Sequence, residues 1–241
     1  MGQASDGVRR RLTRGREVRR TLATAAVGGA VGPILPGCEI FGVTKGKWSL
    51  VDLIVYSLEG TGPADVVVST WTAAAADIDF AFGLLTDGRI RRLRFVVDFS
   101  FPSRQPAYCA ALRERFGDGA ICVTKNHCKF VLIRNETWNL VIRSSMNLNE
   151  NRRLESWEIS DDKGMGDYLG ELVEGLFCSA SGTAALEMKP GEHVRAFEQF
   201  AESGPVAVSA AGLNSTDVKR YFGLGPLDND VRRAGLSYAK G

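Results

Sequence analysis

Histidine and cysteine, the side chains on which most metal sites and all disulfide bonds depend, are scarce in this sequence. The chain has two histidines, His127 and His193, and five cysteines that form no C-x-x-C pair. An odd number of scattered cysteines is typical of free thiols in a reducing compartment, so the sequence predicts a cytoplasmic protein without a disulfide framework. With so few ligands available, we identify no metal site and expect no cofactor.

Long apolar runs are also missing. No segment reaches the roughly 18 consecutive apolar residues that a membrane-spanning helix needs. Residues 22–35 are apolar, but they are rich in alanine and glycine and contain Pro33, and the charged segment before them is long. We therefore predict no contact with a membrane and no export signal.

The net charge of the chain is only +2, so the protein as a whole is not strongly basic. The charge is nevertheless uneven, because the first thirty residues carry seven arginines against two acidic residues: Arg9, Arg10, Arg11, Arg14, Arg16, Arg19 and Arg20. Such an Arg9–Arg20 arm is either a solvated tail or a contact to a phosphate backbone.

Strand-like and helix-like segments alternate through the middle of the chain. Ser49 and Asp52 form a capping box before a helix, and residues 65–70, 90–98 and 120–124 read as buried strands. Helical patterns cover residues 73–85, 105–116 and 165–176. This alternation predicts an α/β fold with a mixed, mostly parallel sheet flanked by helices. We expect three parts: a basic arm and apolar lead-in (1–44), the α/β domain (45–180), and a helical or irregular appendage (181–241) that follows a linker at 179–191.

The densest group of chemically active side chains follows residue 124. Residues 128–133 form an apolar, β-branched segment that predicts a strand, with His127 directly before it and Lys129 within it, and the chain returns as a second strand at residues 140–143. Alternation along a strand would point His127 and Lys129 the same way. Ser145 and Asn147 follow the return strand, and Glu155 begins a further strand. A histidine, a lysine, an asparagine and a serine can together hold and attack a phosphate.

This pattern resembles the phospholipase D superfamily in its H-x-K(x)4-D … G-S-x-N form. His127 and Lys129 match the first part, Ser145 and Asn147 match the second, and Ser144 stands in the glycine place. Glu155 matches the acidic residue that follows, with Glu158 as the alternative. The resemblance is specific over residues 125–159. Two features depart from it: Arg134 occupies the aspartate position, and the loop between the two parts is about three residues longer.

The resemblance implies a phosphodiesterase that needs no metal. His127 would attack phosphorus and form a phosphohistidine, Lys129 and Asn147 with Ser145 would stabilise charge on the phosphoryl oxygens, and Glu155 would orient a histidine. This mechanism uses two histidines. His193 lies in a helical pattern and reads as a surface or packing residue. The second histidine would then come from another copy of the chain, so we expect a half-unit that forms a homodimer.

Besides the catalytic residues, the candidates for substrate binding are Ser145, Ser144, Trp71 and Ser69. Trp71 and Ser69 lie near the end of the strand at residues 65–70, where a ligand can bind in an α/β sheet, although residues in such positions more often belong to the core. The arginine-rich arm favours nucleic acid as the substrate and partner. The sequence therefore favours a nuclease, with two alternatives: a non-catalytic nucleic-acid-binding protein, in keeping with Arg134, and a phospholipase.

Overall fold

One sheet organises the described part of the protein. The computed structural model describes residues 17–18, 27–46, 48–148, 153–180 and 182–202. The arginines of the Arg9–Arg20 arm and residues 203–241 lie outside these ranges. The strand order is β1-β2-β8-β7-β6-β3-β4-β5. The strands are β1 (Glu17–Val18), β2 (Glu39–Thr44), β3 (Ala64–Thr70), β4 (Ile90–Asp98), β5 (Ile121–Thr124), β6 (Phe130–Arg134), β7 (Asn139–Ser144) and β8 (Glu155–Asp161).

The sheet is mixed, as the sequence predicts, but the expectation of mostly parallel pairing is wrong. Strands β3, β4 and β5 are parallel to one another, as β1 is to β2. Antiparallel pairing joins β6 to β7, β7 to β8, β8 to β2 and β6 to β3. Four of the seven strand pairings in the described sheet are therefore antiparallel. Short connections from β6 to β8 permit this geometry, because antiparallel neighbours need no crossover helix.

Helices cover both faces of the sheet. Helices α2, α3 and α5 pack with Val66, Val68, Phe95 and Val131 into one buried cluster. Helix α6 packs its Leu169, Val173 and Leu176 stripe on the other face. The helices are α1 (Val27–Val31), α2 (Leu50–Thr61), α3 (Ala75–Thr86), α4 (Phe101–Arg104), α5 (Pro106–Phe116), α6 (Lys163–Ala180), α7 (Gly182–Glu187) and α8 (Pro190–Glu202).

The predicted helix starts and strand positions agree closely with this structure. The capping box at the start of α2 is formed, since the Ser49 N–H donates to the Asp52 carboxylate and the Asp52 N–H donates to the Ser49 hydroxyl. The strand predicted at 90–98 matches β4, and the predicted hairpin is β6 and β7. Local patterning therefore specified these elements, because each buries a face at its own period.

The predicted linker at residues 179–191 is wrong. Helix α6 continues through Ala180, and α7 follows at Gly182–Glu187 with Ala185 buried. The small residues of this segment read as a linker, but alanine and leucine are also strong helix formers once they find a surface to pack on. Helices α7 and α8 both contact β5, and β2 lies inside the sheet. Residues 39–44 and residues 182–202 therefore pack against the α/β domain, although the sequence predicts domain boundaries at 45 and 180.

None of the described helices is both long and apolar enough to cross a membrane.

Candidate active site

The predicted site residues lie at one edge of the sheet. Strands β3, β4, β5 and β7 end there, at residues 70, 98, 124 and 144, and the antiparallel strands β6 and β8 begin there, at residues 130 and 155. Loops that leave such an edge carry ligand sites in many α/β proteins. The fold therefore brings His127, Lys129, Asn147 and Glu155 to the same end of the sheet.

The segment before β6 is an ordered loop held by Asn126. The buried Asn126 amide donates to the Ser69 hydroxyl (3.1 Å) and to the Val96 carbonyl (3.1 Å), and its oxygen accepts the Cys128 N–H (2.9 Å). The prediction that His127 and Lys129 lie on a strand is wrong, because β6 begins only at Phe130. The Cys128 N–H therefore bonds to Asn126, and the first contact with β7 is the Ser144 N–H, which donates to the Lys129 carbonyl (3.3 Å).

His127 is exposed, as are Lys125 and Cys128 of the same loop. Its ring lies edge-on to Trp71, with 6.1 Å between the two ring centroids. Neither imidazole nitrogen forms a hydrogen bond with any residue in the described ranges. An accessible imidazole with both nitrogens open can act as a nucleophile or exchange a proton with a bound substrate.

Lys129 supplies positive charge beside His127. Its ammonium donates to the backbone carbonyl of His127 (3.1 Å), and it forms no ion pair within the described part of the chain. Lys129 also lines a groove of about 480 Å³ together with Ser145, Arg143 and the apolar side chains Phe41, Phe130, Met165 and Leu169. A phosphate placed at the mouth of this groove would meet the Lys129 ammonium, which forms no ion pair with the described residues, whereas Glu158 of the same groove pairs with Arg143.

Asn147 is oriented by its contact with Trp71. The Trp71 N–H donates to the Asn147 side-chain oxygen (3.3 Å). A backbone N–H can only donate, so the oxygen of the amide must face Trp71 and the NH₂ group must face elsewhere. The two N–H bonds of Asn147 are therefore available to an acceptor such as a phosphoryl oxygen.

Ser145 and Glu155 form a pair. The Ser145 hydroxyl donates to the Glu155 carboxylate and accepts the Ser156 N–H (2.9 Å). The Glu155 side chain is buried, and its second oxygen accepts no hydrogen bond from the described residues. Ser145 thus holds the carboxylate in place. Within one chain, the structure shows no hydrogen bond between Glu155 and His127.

The alternative acid, Glu158, has another role. It pairs with Arg143 across β7 and β8 at 2.5 Å. The unusual Arg134 lies at the far end of β6 from His127, where it forms an ion pair with Asp167 of α6 (2.7 Å) and donates to Asn139 (3.2 Å). Arg134 joins helix α6 to the hairpin, so its departure from the aspartate of the motif concerns packing.

Two serines predicted to bind substrate, Ser69 and Ser144, form hydrogen bonds within the chain, and Ser144 also lines the groove beside Lys129. Ser69 is fully buried, and its hydroxyl donates to the Cys128 carbonyl (2.9 Å) while accepting from Asn126. Ser69 therefore positions the His127 loop and has no surface for a substrate. Ser144 is half-buried and closes a turn, since its hydroxyl donates to Ser156 and accepts the Met146 N–H.

Sequence reasoning missed the residues that support the loop from behind. The Asp98 carboxylate accepts the N–H groups of Asn126 (3.2 Å) and Ser100 (3.0 Å), which links the end of β4 to the His127 loop. Arg104 then bonds to the Ser100 hydroxyl (2.8 Å). An aspartate that ends an apolar strand and an asparagine directly before the histidine were the available signals.

His193 is a packing residue. Its side chain is 3% exposed, and its ring lies 6.1 Å from that of Phe99. Burial lowers the pKa of His193, against the opposing influence of the carboxylates of Glu192 and Asp98. An imidazole enclosed in this way cannot reach a substrate at the exposed His127.

Acidification should lower the free energy of unfolding of the wild type more than that of a His193→Phe variant. The unfolded chain binds a proton at His193 near the ordinary pKa of about 6.5, whereas the folded pKa is lower. The stabilisation is therefore complete above about pH 6.5 and is lost as the pH falls through the folded pKa. Urea unfolding at about pH 7.5 and about pH 5 measures the difference. His127→Asn, which removes the exposed histidine, should lose as much unfolding free energy on acidification as the wild type. An equal loss in the wild type and in His193→Phe would show that His193 is not the source of the pH dependence.

No group of three or more histidine, cysteine or acidic side chains in the described residues is arranged to hold a metal ion. No family model matches the sequence, and the comparison with curated proteins found no match.

Solved structures do resemble the fold. NucT from Helicobacter pylori shares 14% identity, with a TM-score of 0.44, over 60% of this chain and 99% of its own. Nuc from Salmonella typhimurium, a phospholipase D family member, shares 12% with a TM-score of 0.44, over 59% and 95%. Phosphatidylserine synthase from Haemophilus influenzae shares 15% with a TM-score of 0.44, over 70% and 47%. At these values the chemistry of the chain has to be read from its own side chains.

Proposed function

We propose that the protein is a metal-independent phosphodiesterase, in first place a nuclease, that acts through a phosphohistidine at His127. The observation that carries this proposal is the exposed imidazole of His127, whose two nitrogens are open, beside the unpaired ammonium of Lys129. Asn147 adds amide donors at the same edge of the sheet, turned away from Trp71. These groups match the needs of a phosphoryl group under attack: a nucleophile, a cation and neutral donors.

The first step would form a bond between a His127 nitrogen and phosphorus and break the bond from phosphorus to the leaving oxygen. Lys129 and Asn147 would stabilise the charge on the non-bridging oxygens as it develops. The leaving oxygen needs a proton, which a second histidine would provide. Water would then attack the phosphohistidine, and that second histidine would accept a proton from the water.

The second histidine would belong to another copy of the chain. The sequence contains only two histidines, and His193 is enclosed beside Phe99. A two-fold axis near the His127 loop would place two copies of His127 around one phosphate. Glu155, fixed by Ser145 and with one oxygen open, would orient one of these imidazoles and stabilise its charged form.

The groove beside Lys129 gives one specific reason to keep a phospholipase as the second candidate. Its wall contains Phe41, Phe130, Met165 and Leu169, which could receive an acyl chain as well as a nucleobase. The non-catalytic alternative loses its main support, because Arg134 bonds to helix α6 at the end of β6 away from His127.

Hydrolysis in the presence of EDTA tests the proposal. We expect the protein to cleave single- or double-stranded DNA or RNA at a rate that EDTA changes by no more than about twofold, because histidine carries the covalent chemistry. Vesicles of phosphatidylcholine, assayed in parallel, test the phospholipase alternative. Complete inhibition by EDTA that magnesium restores would indicate a two-metal enzyme instead. Binding of nucleic acid without any hydrolysis would support the non-catalytic alternative.

Mixed dimers test whether two copies share one site. Wild type is mixed with about nine parts of His127→Asn and left to exchange subunits, so that only about one wild-type copy in ten keeps a wild-type partner. The activity per wild-type copy should then fall about tenfold if one site needs both copies of His127. An equal excess of Lys125→Ala, an exposed lysine of the same loop, is the matched control and should cause no such fall. Unchanged activity in the His127→Asn mixture would mean that each chain works alone.

A further inference from the structure

An arginine outside the motif is stacked beside His127. The guanidinium carbon of Arg104, the last residue of α4, lies 3.8 Å from the centre of the Trp71 ring. The other neighbour of that ring is His127, at 6.1 Å between centroids. These two distances place the Arg104 cation within about 10 Å of the imidazole. This separation is close to the Debye length at physiological salt, so the charge of Arg104 can still act near His127.

Arg104 is exposed but fixed in position. Its Nε donates to the Ser100 hydroxyl (2.8 Å) and its Nη2 donates to the Trp71 carbonyl (3.3 Å). Ser100 in turn bonds to Asp98, which also holds Asn126 and so the His127 loop. The same hydrogen-bonded network therefore positions both Arg104 and His127. An arginine held in this way loses little side-chain entropy when it binds a ligand.

No carboxylate of the described residues forms an ion pair with Arg104. Arg94, Arg113 and Arg143 each pair with a carboxylate, whereas Arg104 forms no ion pair with any described residue. The nearby Asp98 carboxylate is buried and bonded to Ser100 and Asn126. A guanidinium has five N–H donors, and two of them are used, so three remain for an external acceptor.

We propose that Arg104, stacked on Trp71, binds the phosphate next to the scissile phosphate along a nucleic-acid strand. This inference rests on the proposed function and adds a substrate class to it, namely a chain of phosphodiesters. Planar guanidinium groups bind phosphate through paired hydrogen bonds, and the cation–π contact with Trp71 keeps this plane in place. A small diester with a single phosphate has no neighbouring phosphate for Arg104 to bind.

The test compares two substrates in the full-length protein. Arg104→Gln should lower kcat/KM for a single-stranded oligonucleotide about tenfold, chiefly through KM, because uniform binding of a neighbouring phosphate is lost. Hydrolysis of bis(p-nitrophenyl) phosphate, which has one phosphate, should change by less than about twofold. The salt dependence of oligonucleotide binding should become shallower by about 0.7 in the slope of log K against log salt, the effect of one phosphate contact.

Arg91→Gln is the matched control. Arg91 is also an exposed arginine, but it lies near the start of β4, whereas Asp98 and the His127 loop lie at the other end of that strand. Arg91 forms an ion pair with Glu136. The control removes the same charge and should leave both substrates and the salt slope unchanged. Equal losses on both substrates in Arg104→Gln would show that Arg104 only supports the fold of the site. No loss on either substrate would show that it has no role, and either result overturns the proposal.

The failure of the proposed function would be seen separately. If the wild type hydrolyses neither substrate, the phosphodiesterase proposal fails, and the subsite is then judged from the oligonucleotide salt slope alone. A slope that becomes shallower in Arg104→Gln but not in Arg91→Gln would support the phosphate contact. The same slope in all three proteins would refute it.

Discussion

Replacement of His127 by asparagine should reduce phosphodiester hydrolysis by a factor on the order of a thousand or more. Loss of an activated nucleophile has effects of this size or larger, since the covalent route disappears and only the remaining binding and electrostatic terms still act. The side chain of His127 is exposed and has no hydrogen bond in the described structure, so the fold should not depend on it. Thermal unfolding should therefore show a midpoint close to that of the wild type.

The control for this variant is its neighbour. Cys128 is equally exposed and its side chain lies in the same loop. A Cys128→Ala variant should keep its activity within a few-fold of wild type, since that thiol has no part in the proposed chemistry. A His127→Asn variant that is fully active would remove His127 from the mechanism, and equal losses in both variants would point to damage to the loop.

Replacement of Lys129 by alanine should reduce kcat by about a hundred-fold to a thousand-fold. Removal of one preorganised donor to a developing oxyanion has this effect in other enzymes. Lys129 forms no ion pair with the described residues, and its ammonium is held by the His127 carbonyl at 3.1 Å, so its charge is in place before the substrate arrives. Steady-state kinetics on an oligonucleotide measures the loss, which should fall mainly on kcat.

Lys125→Ala separates the local role of Lys129 from the general attraction of positive charge. Lys125 is exposed, four residues before Lys129 in the sequence. It should matter only through the net charge, with a change of a few-fold that disappears at higher salt. If Lys125→Ala and Lys129→Ala lose activity equally, and both losses vanish in salt, Lys129 acts only by attracting the substrate.

Hydrophobic patterning was sufficient to locate the strands and helices around the site. Strand β3, the second half of β4 and the return strand β7 each contain a short run of consecutive buried residues, and Ser49 with Asp52 marks the start of α2. Strand direction was not encoded in the same way. The pairing of β6 with β3, and of β8 with β2, joins segments far apart in the sequence, so local patterns do not decide whether they run parallel or antiparallel.

The site itself was only partly predictable, for the same reason. His127, Lys129 and Asn147 could be recognised from their spacing, and they lie at one edge of the sheet. The contacts of Asn126 with Ser69 and Val96, and of Arg104 with Trp71, span 30 residues or more of sequence. Such contacts exist only after the sheet has formed, so no local pattern could assign Ser69 to the support of the loop or Arg104 to the surface beside His127.

Trapping of a covalent intermediate on His127 tests the central claim most directly. The protein would be mixed in EDTA with an oligonucleotide that carries its label at one end, and a second sample would carry the label at the other end. Each reaction would be quenched during turnover and run on a denaturing gel. We expect a labelled protein band whose linkage survives alkali and is broken by acid, as a phosphoramidate bond is. Peptide mass spectrometry should place the label on His127, and His127→Asn should show no band. Normal turnover in EDTA without any protein-linked label, or a label on another residue, would contradict the account.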